Sequence, residues 1–95
     1  MAAYIVANST ITDRALLDEY VAAAGGTLGP HEVKVHVATN EATILEGDAG
    51  ERVVVLEFPT RDAAMAWYQS AEYQAIIGMR LNSTKGFLAI VDGLA

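Results

Sequence analysis

The chain has 95 residues, of which 53% are hydrophobic, and its formal net charge is −6 at pH 7. This negative charge, without any lysine or arginine cluster, argues against nucleic acid or an anionic membrane as partner, because phosphate groups need a basic footprint. The absence of cysteine excludes disulfides, thiolate catalysis and cysteine-based metal sites. We expect a single cytoplasmic domain over residues 1–95, with no signal peptide and no apolar run of the ~20 residues that a membrane helix needs.

The first half of the chain predicts a strand, a helix and a second strand. The short apolar run at residues 3–7 is typical of a strand that is buried on both faces. Thr12 is a suitable N-cap for the amphipathic helix that follows, and we expect Gly25 and Gly26 to end that helix. Residues 31–38 alternate, with valines on one side and polar side chains on the other, which predicts a half-exposed edge strand.

The second half predicts a central strand and a helix with a bend. We expect residues 41–47 to stay extended, and Ser70 to begin a new helical turn after a break. The other predicted elements are an apolar central strand at 52–58, a helix capped by Thr60, a second helical segment at 71–82 and a last strand at 86–93.

The order of these elements, β-α-β-β-α-β, predicts an α+β ferredoxin-like fold with a four-stranded antiparallel sheet. The first and third strands are the most apolar and should take the two central places. Right-handed crossovers place both helices on one face of the sheet. The other face then exposes apolar side chains, and a chain this small cannot hide all its apolar residues in one monomer. We therefore expect a homodimer formed through the open sheet face.

The two histidines are the only imidazoles in the chain, and this kind of group titrates near neutral pH. His31 follows a Gly-Pro turn and is the better candidate for a general base, whereas His36 is expected to be solvated beside Lys34. On one strand the two histidines point to opposite faces, and no carboxylate pattern accompanies them. We predict no metal site and no cofactor.

Two glutamates and two arginines lie within or beside apolar segments. Glu46 and Glu57 each lie within or at the end of a predicted strand. A buried carboxylate needs a cationic or hydrogen-bonding partner, and Arg52 and Arg80 are the available cations. The pattern leaves two interpretations open, which are a structural ion pair between strand and helix and a catalytic acid or base.

Arg80 also shares a predicted helical face with Tyr73 and with apolar residues that should meet the sheet. A guanidinium there must reach solvent, pair with a carboxylate or bind an anionic ligand. Trp67 and Tyr68 come just before the bend, so at least one of them should turn toward the same space. Aromatic residues at helical spacing are typical of a core, and the arginine beside them keeps a ligand pocket open as the alternative.

Several motifs resemble those of one family. The segments LEGD, RVVVLEFP, AWYQSAEYQA and MR, with AYIVAN near the start, resemble domain of unknown function 1330 (DUF1330), a family of small bacterial proteins. The resemblance covers nearly the whole chain. It implies a dimeric α/β barrel, as in antibiotic-biosynthesis-type monooxygenases, with a cleft between helices and sheet in each subunit. The residues that match the family pattern are Glu46, Gly47, Arg52, Glu57, Trp67, Tyr68, Tyr73 and Arg80.

The chain departs from the family pattern around the end of its first helix. Glu32 and Val33 stand where the family usually has a Gly-Gly pair, and Ala38 stands in place of an arginine. Gly25 and Gly26 fall where the first helix of the family tends to continue. We expect this region to be reshaped, and the family has no established activity to transfer.

Three hypotheses for function follow from these observations. The first is a homodimer whose cleft binds a small organic molecule, with a carboxylate for Arg80. The second is a cofactor-independent enzyme, an oxygenase or isomerase, that uses His31 or a buried carboxylate such as Glu57. The third is a structural or regulatory dimer without a ligand. The residues predicted to line the cleft are Glu46, Arg52, Trp67, Tyr68, Tyr73 and Arg80.

Overall fold

The computed structural model describes residues 1–94, and Ala95, the last residue of the predicted domain, lies outside them. The elements are β1 Ala3–Ile11, α1 Arg14–Leu28, β2 Lys34–Thr39, β3 Arg52–Phe58, α2 Arg61–Tyr68, α3 Ala71–Gln74, α4 Ile77–Leu81 and β4 Thr84–Asp92. The strands form one antiparallel sheet in the order β2-β3-β1-β4. This confirms the predicted ferredoxin-like α+β fold, with the first and third strands at the centre. None of the helices described is long and apolar enough to cross a membrane.

Side chains of the sheet alternate between a face covered by helices and an open face. Ile5 and Leu56 pair across β1 and β3 on the covered face, and both are buried. Their neighbours Val6 and Val55 pair on the open face and are only half-buried. The helical residues that pack against the covered face are Leu17, Tyr20, Ala64, Trp67 and Tyr73. Burial of each large apolar side chain there stabilises the fold by about 1.5–3 kcal/mol.

Helix α1 differs at both ends from the prediction. Asp13, not Thr12, is the N-cap, because the Asp13 carboxylate accepts a hydrogen bond from the Leu16 backbone N–H at 3.0 Å. The helix also continues through Gly25 and Gly26, so the expectation that they end it was wrong. A helical glycine costs roughly 1 kcal/mol relative to alanine. The packing of the last helical turn against the core offsets that cost.

Strand β2 contains a bulge at His36, which the alternating pattern did not indicate. Val35 pairs with Leu56, but Val37 pairs with the next residue along β3, Val55. The extra residue moves Val35 to the covered face and Val37 to the open face, so the predicted common side for the valines was wrong. The segment 41–47 was expected to be extended and is instead an irregular loop.

The loop between β2 and β3 is tied to the sheet by the side chain of Asn8. Its amide donates to the Gly50 carbonyl at 2.9 Å and accepts from the Gly50 N–H at 3.1 Å. A Cβ at Gly50 would lie 1.9 Å from the Ser9 carbonyl oxygen, so only glycine lets the loop approach β1 this closely. The loop therefore has a fixed path into β3 although it forms no strand.

The helical segments after β3 follow the predicted caps. The Thr60 and Ser70 hydroxyls each accept a backbone hydrogen bond at the start of a helix. The predicted single segment at 71–82 is divided into the short helices α3 and α4, with the break at Ala75 and Ile76. The last strand begins at Thr84, two residues earlier than expected.

Candidate ligand cavity

A cavity of about 220 Å³ lies between α1 and the covered face of the sheet. All four strands and the helices α1, α2 and α4 contribute to its walls. Most of the lining is apolar, and it consists of Ile5, Ala7, Val21, Ala24, Gly25, Leu28, Val35, Ala38, Val54, Leu56, Trp67 and Leu88. The remaining lining residues are Tyr20, Arg52 and Arg80. The cavity is therefore an apolar space that two guanidinium groups and one phenol enter.

The two arginines reach the cavity from different elements. Arg52 begins β3 on the covered face, and its Nη1 donates to the side-chain oxygen of Asn40 at 2.7 Å. Arg80 lies on α4, and its Nε donates to the Tyr73 hydroxyl at 3.1 Å. Neither guanidinium forms an ion pair within residues 1–94, where the ion pairs of arginine are Arg14–Asp18 and Arg61–Asp92.

Burial changes the protonation equilibria of two lining residues. Desolvation lowers the pKa of Arg52, because removal from water disfavours the charged form, and the nearby Tyr20 partly opposes this. An arginine nevertheless stays charged in proteins. Burial, and secondly the neighbouring Tyr73, raises the pKa of Tyr20, so this phenol stays neutral at physiological pH. The lining residues thus include two positive charges and no negative one.

A cluster of aromatic rings forms the wall behind the cavity. The Trp67 ring lies 4.2 Å from the Tyr73 ring and 5.9 Å from the Phe58 ring, centroid to centroid. The Trp67 indole N–H donates to the Thr27 hydroxyl at 3.0 Å. Only Trp67 of these rings reaches the cavity, whereas Tyr73 is fully buried behind it. Tyr68 packs on the outer side of Tyr73 and does not line the cavity.

The three acidic or basic candidates for catalysis lie away from this cavity. Glu57 is on the open face, 2.7 Å from the Nε2 atom of His36. Glu46 is exposed in the loop before β3, and His31 is half-buried in the turn after α1. The pairing of Arg80 with either glutamate, one of the alternatives that the sequence left open, is therefore absent from residues 1–94. The catalytic roles of His31 and Glu57 remain predictions, and the described residues contain no group of three side chains that could hold a metal ion.

Tyr20 is the polar lining residue that the sequence did not single out. The pattern of α1 placed it among the apolar residues of an amphipathic helix. Its hydroxyl lies 2.8 Å from the hydroxyl of Tyr73, 53 residues further along the chain. A buried phenol needs a polar partner, and this general rule was the one signal in the sequence that Tyr20 belongs to a polar site. The rule does not identify Tyr73 as that partner.

The fold and cavity define a ferredoxin-like α+β domain with a partly open cavity between its first helix and its sheet. The model of a family described as a domain of unknown function (DUF1330) matches residues 2–94. The chain belongs to the DUF1330 family, which confirms the resemblance of its motifs. A comparison with curated proteins gives no match.

Several solved structures are similar to this chain. A protein of unknown function from Rhodopseudomonas palustris has a TM-score of 0.82 at 13% identity, covering 99% of this chain and 83% of that one. SnoaB, a cofactor-independent oxygenase from Streptomyces nogalater, has a TM-score of 0.70 at 8% identity, covering 99% and 94%. A dimeric ferredoxin-like protein of unknown function from Bacteroides fragilis has a TM-score of 0.51 at 10% identity, covering 97% and 96%. At these identities the similarity shows the fold alone.

Proposed function

We propose that the protein is a homodimer in which the cavity of each subunit binds a small organic anion with an apolar body. The observation that carries this proposal is the presence of Arg52 and Arg80 in an otherwise apolar cavity, without a carboxylate partner in the described chain. Both side chains are half-buried, and a guanidinium that loses part of its hydration without gaining an acidic partner carries an energetic cost. An anionic ligand between the helices and the sheet compensates for that cost.

The positions of the arginines indicate the shape of the ligand. The Arg80 guanidinium is linked to the Tyr20 hydroxyl through that of Tyr73, and Arg52 is near enough to affect the pKa of the same phenol. Both charges therefore lie near one end of the cavity. Leu56 lines the cavity on the same strand face as Arg52, roughly 13 Å further along β3 at ~3.3 Å per residue. The ligand therefore has its anionic group at the Arg52 end, and its apolar body extends toward Leu56.

The volume of the cavity limits the size of the ligand. An engineered cavity of about 150 Å³ in another protein accommodates benzene, which has six non-hydrogen atoms. A cavity of about 220 Å³ is larger in proportion and suits roughly nine such atoms by this scale. Benzoate has this size and combines one apolar ring with one carboxylate.

Binding is favoured over catalysis by the chemistry of the lining. The residues that line the cavity include no histidine, aspartate or glutamate, which are the usual general bases. The similarity to SnoaB concerns the fold and supplies no base at this position. We therefore place ligand binding ahead of a cofactor-independent oxygenase.

The open face of the sheet supports the dimeric part of the proposal. Val6, Val53 and Val55 form its central part, and Phe87 and Val91 on β4 are 55% and 43% exposed. Exposed apolar side chains grouped on one face in this way are typical of a surface covered by a partner. The dimeric Bacteroides fragilis protein has the same fold. A second copy of the chain is the partner that we propose.

Calorimetric titration with benzoate, phenylacetate, hexanoate and octanoate tests the binding proposal. We expect at least one of these anions to bind the wild-type protein, and Arg80→Met to weaken that binding at least tenfold, because a charged hydrogen bond is lost. Arg61→Met is the matched control, since Arg61 is an exposed arginine paired with Asp92 away from the cavity. Equal affinities in the wild type and Arg80→Met, or no binding by any of the four anions, would contradict the proposal.

A further inference from the structure

The hydrogen-bond chain at the charged end of the cavity has a fixed direction. The Nε atom of Arg80 carries only a hydrogen to give, so the hydroxyl oxygen of Tyr73 accepts at 3.1 Å. The Tyr73 side chain is fully buried. Its own hydroxyl hydrogen has one acceptor among the described residues, the Tyr20 hydroxyl oxygen at 2.8 Å. A buried donor that goes unused is costly, so Tyr73 donates to Tyr20.

This direction leaves the hydrogen of the Tyr20 hydroxyl unused by the protein. Tyr20 lines the cavity, and within residues 1–94 its hydroxyl makes no hydrogen bond except that with Tyr73. The two Nη atoms of Arg80 likewise have no hydrogen-bond partner in that part of the chain. The charged end of the cavity therefore offers several hydrogen-bond donors whose hydrogens are free.

We propose that Tyr20 and Arg80 together form a carboxylate-recognition site, with Tyr73 as the residue that positions both. This inference rests on the proposed function and names the ligand class as apolar monocarboxylic acids. A carboxylate has only acceptors, so its two oxygens can accept from the Tyr20 hydroxyl and from the Nη atoms of Arg80 at the same time. An amide or an alcohol of the same shape carries hydrogen-bond donors of its own. These donors would face the donors of Tyr20 and Arg80 and could not pair with them. The site therefore selects a carboxylate over these neutral analogues.

The ionisation state of the phenol fits this role. Burial raises the pKa of Tyr20, because removal from water disfavours the charged phenolate. Tyr20 thus keeps the hydrogen that it donates throughout the physiological range of pH. Arg52 adds positive charge at the same end while its Nη1 remains bonded to Asn40.

The test compares the affinities of benzoate and benzamide for the wild type and three phenylalanine variants. We expect the wild type to prefer benzoate at least tenfold. Tyr20→Phe should lower the benzoate affinity about tenfold and leave the benzamide affinity within about twofold. Tyr73→Phe should also reduce the benzoate-to-benzamide ratio, because Tyr20 and Arg80 lose the group that orients them. Tyr68→Phe is the control, since Tyr68 stacks on Tyr73 outside the cavity and should keep the wild-type ratio.

The results of this test distinguish a failure of the carboxylate site from a failure of the proposed ligand-binding function. A wild-type ratio near one, or an unchanged ratio in Tyr20→Phe with benzoate still bound, would overturn the carboxylate site and leave a ligand-binding cavity. If neither compound and none of the other anions binds the wild type, the proposed function itself fails. Where Tyr20→Phe does not fold, NMR of 13C-tyrosine in the wild type decides the question. Benzoate should then shift the signals of Tyr20 and Tyr73 and leave that of Tyr68 in place, and unshifted signals would overturn the inference.

Discussion

The two faces of the sheet distribute charge and apolar surface in opposite ways. The cavity on the covered face is almost wholly apolar and yet receives two guanidinium groups, Arg52 from β3 and Arg80 from α4, without acidic partners in the described chain. The open face carries a hydrogen-bonded pair, His36 with Glu57, beside large apolar side chains that a monomer leaves exposed. Each face thus has one unsatisfied requirement, an anion on the covered side and an apolar partner on the open side.

A single strand serves both faces, and this explains how 95 residues can carry a cavity and an interface. Along β3, Arg52, Val54 and Leu56 point to the cavity, whereas Val53 and Val55 point to the open face. A shift of one residue in the pairing of this strand would exchange the two sets. The bulge at His36 performs such an exchange locally in β2, and it brings Val35 to the cavity.

The largest expected effect is the loss of the aromatic wall behind the cavity. Trp67→Ala removes a buried ring that packs against Phe58 and Tyr73, and should lower the free energy of unfolding by about 3–5 kcal/mol. Chemical denaturation measures the change. Met65→Ala on the same helix is the control, because Met65 is exposed and should cost less than about 1 kcal/mol. Similar losses in the two variants would show that the covered face is not the core.

The second prediction concerns the open face. Phe87→Asp places a carboxylate on the proposed interface and should raise the dimer dissociation constant by about two orders of magnitude, since a buried unpaired charge is costly. Sedimentation at micromolar concentration measures this change. Leu81→Asp is the matched control, because Leu81 is 60% exposed on α4, away from the sheet, and Phe87 is 55% exposed. A wild-type protein that is already a folded monomer would contradict the dimer.

The third prediction uses the raised pKa of Tyr20. Tyr20 keeps its proton in the folded state at a pH where the unfolded chain, with a pKa of 10.0, loses it. The contribution of this difference to the free energy of unfolding is fully present below pH 10. Above pH 10 the free energy of unfolding should fall by about 1.4 kcal/mol for each pH unit, because only the unfolded chain loses the proton. Thermal unfolding from pH 8 to 11 measures this slope. Tyr20→Phe removes this titrating group, so the slope should become shallower by about 1.4 kcal/mol per pH unit. An unchanged slope would show that Tyr20 is not buried as described.

The smallest expected effect separates two adjacent glycines of α1. Both Gly25 and Gly26 have open space around an added Cβ, so replacement by alanine should stabilise the helix by about 0.4–1 kcal/mol in each case. Gly25 lines the cavity and Gly26 does not. We therefore expect both variants to raise the melting temperature, and only Gly25→Ala to change ligand affinity. Equal effects on affinity would contradict the proposed position of the ligand.

The sequence was most informative where the chain marks its own boundaries. The strand at 52–58 was placed correctly, because the apolar run lies between a glycine-containing turn and Pro59. The break at Ser70 was also correct, because a capping serine identifies a helix start whatever the tertiary structure. These signals are local, and they need no knowledge of distant residues.

Other features depend on contacts that a linear pattern does not contain. The run of valines in β3 is apolar on both faces, so it gives no signal for the side on which Glu57 lies. The bulge at His36 depends on the pairing of β2 with β3, and the continuation of α1 through two glycines depends on packing. The inclusion of Tyr20 in the candidate site required its partner Tyr73 from a different helix.

The most direct test of the central claim is the melting temperature of the double variant Arg52→Met/Arg80→Met, with and without benzoate. Arginines that serve a ligand are a cost to the empty protein, so their removal should leave the melting temperature unchanged or higher without benzoate. Benzoate should raise the melting temperature of the wild type and not that of the variant. A variant that is clearly less stable than the wild type, or one that benzoate stabilises to the same extent, would contradict an anion-binding role for the two arginines.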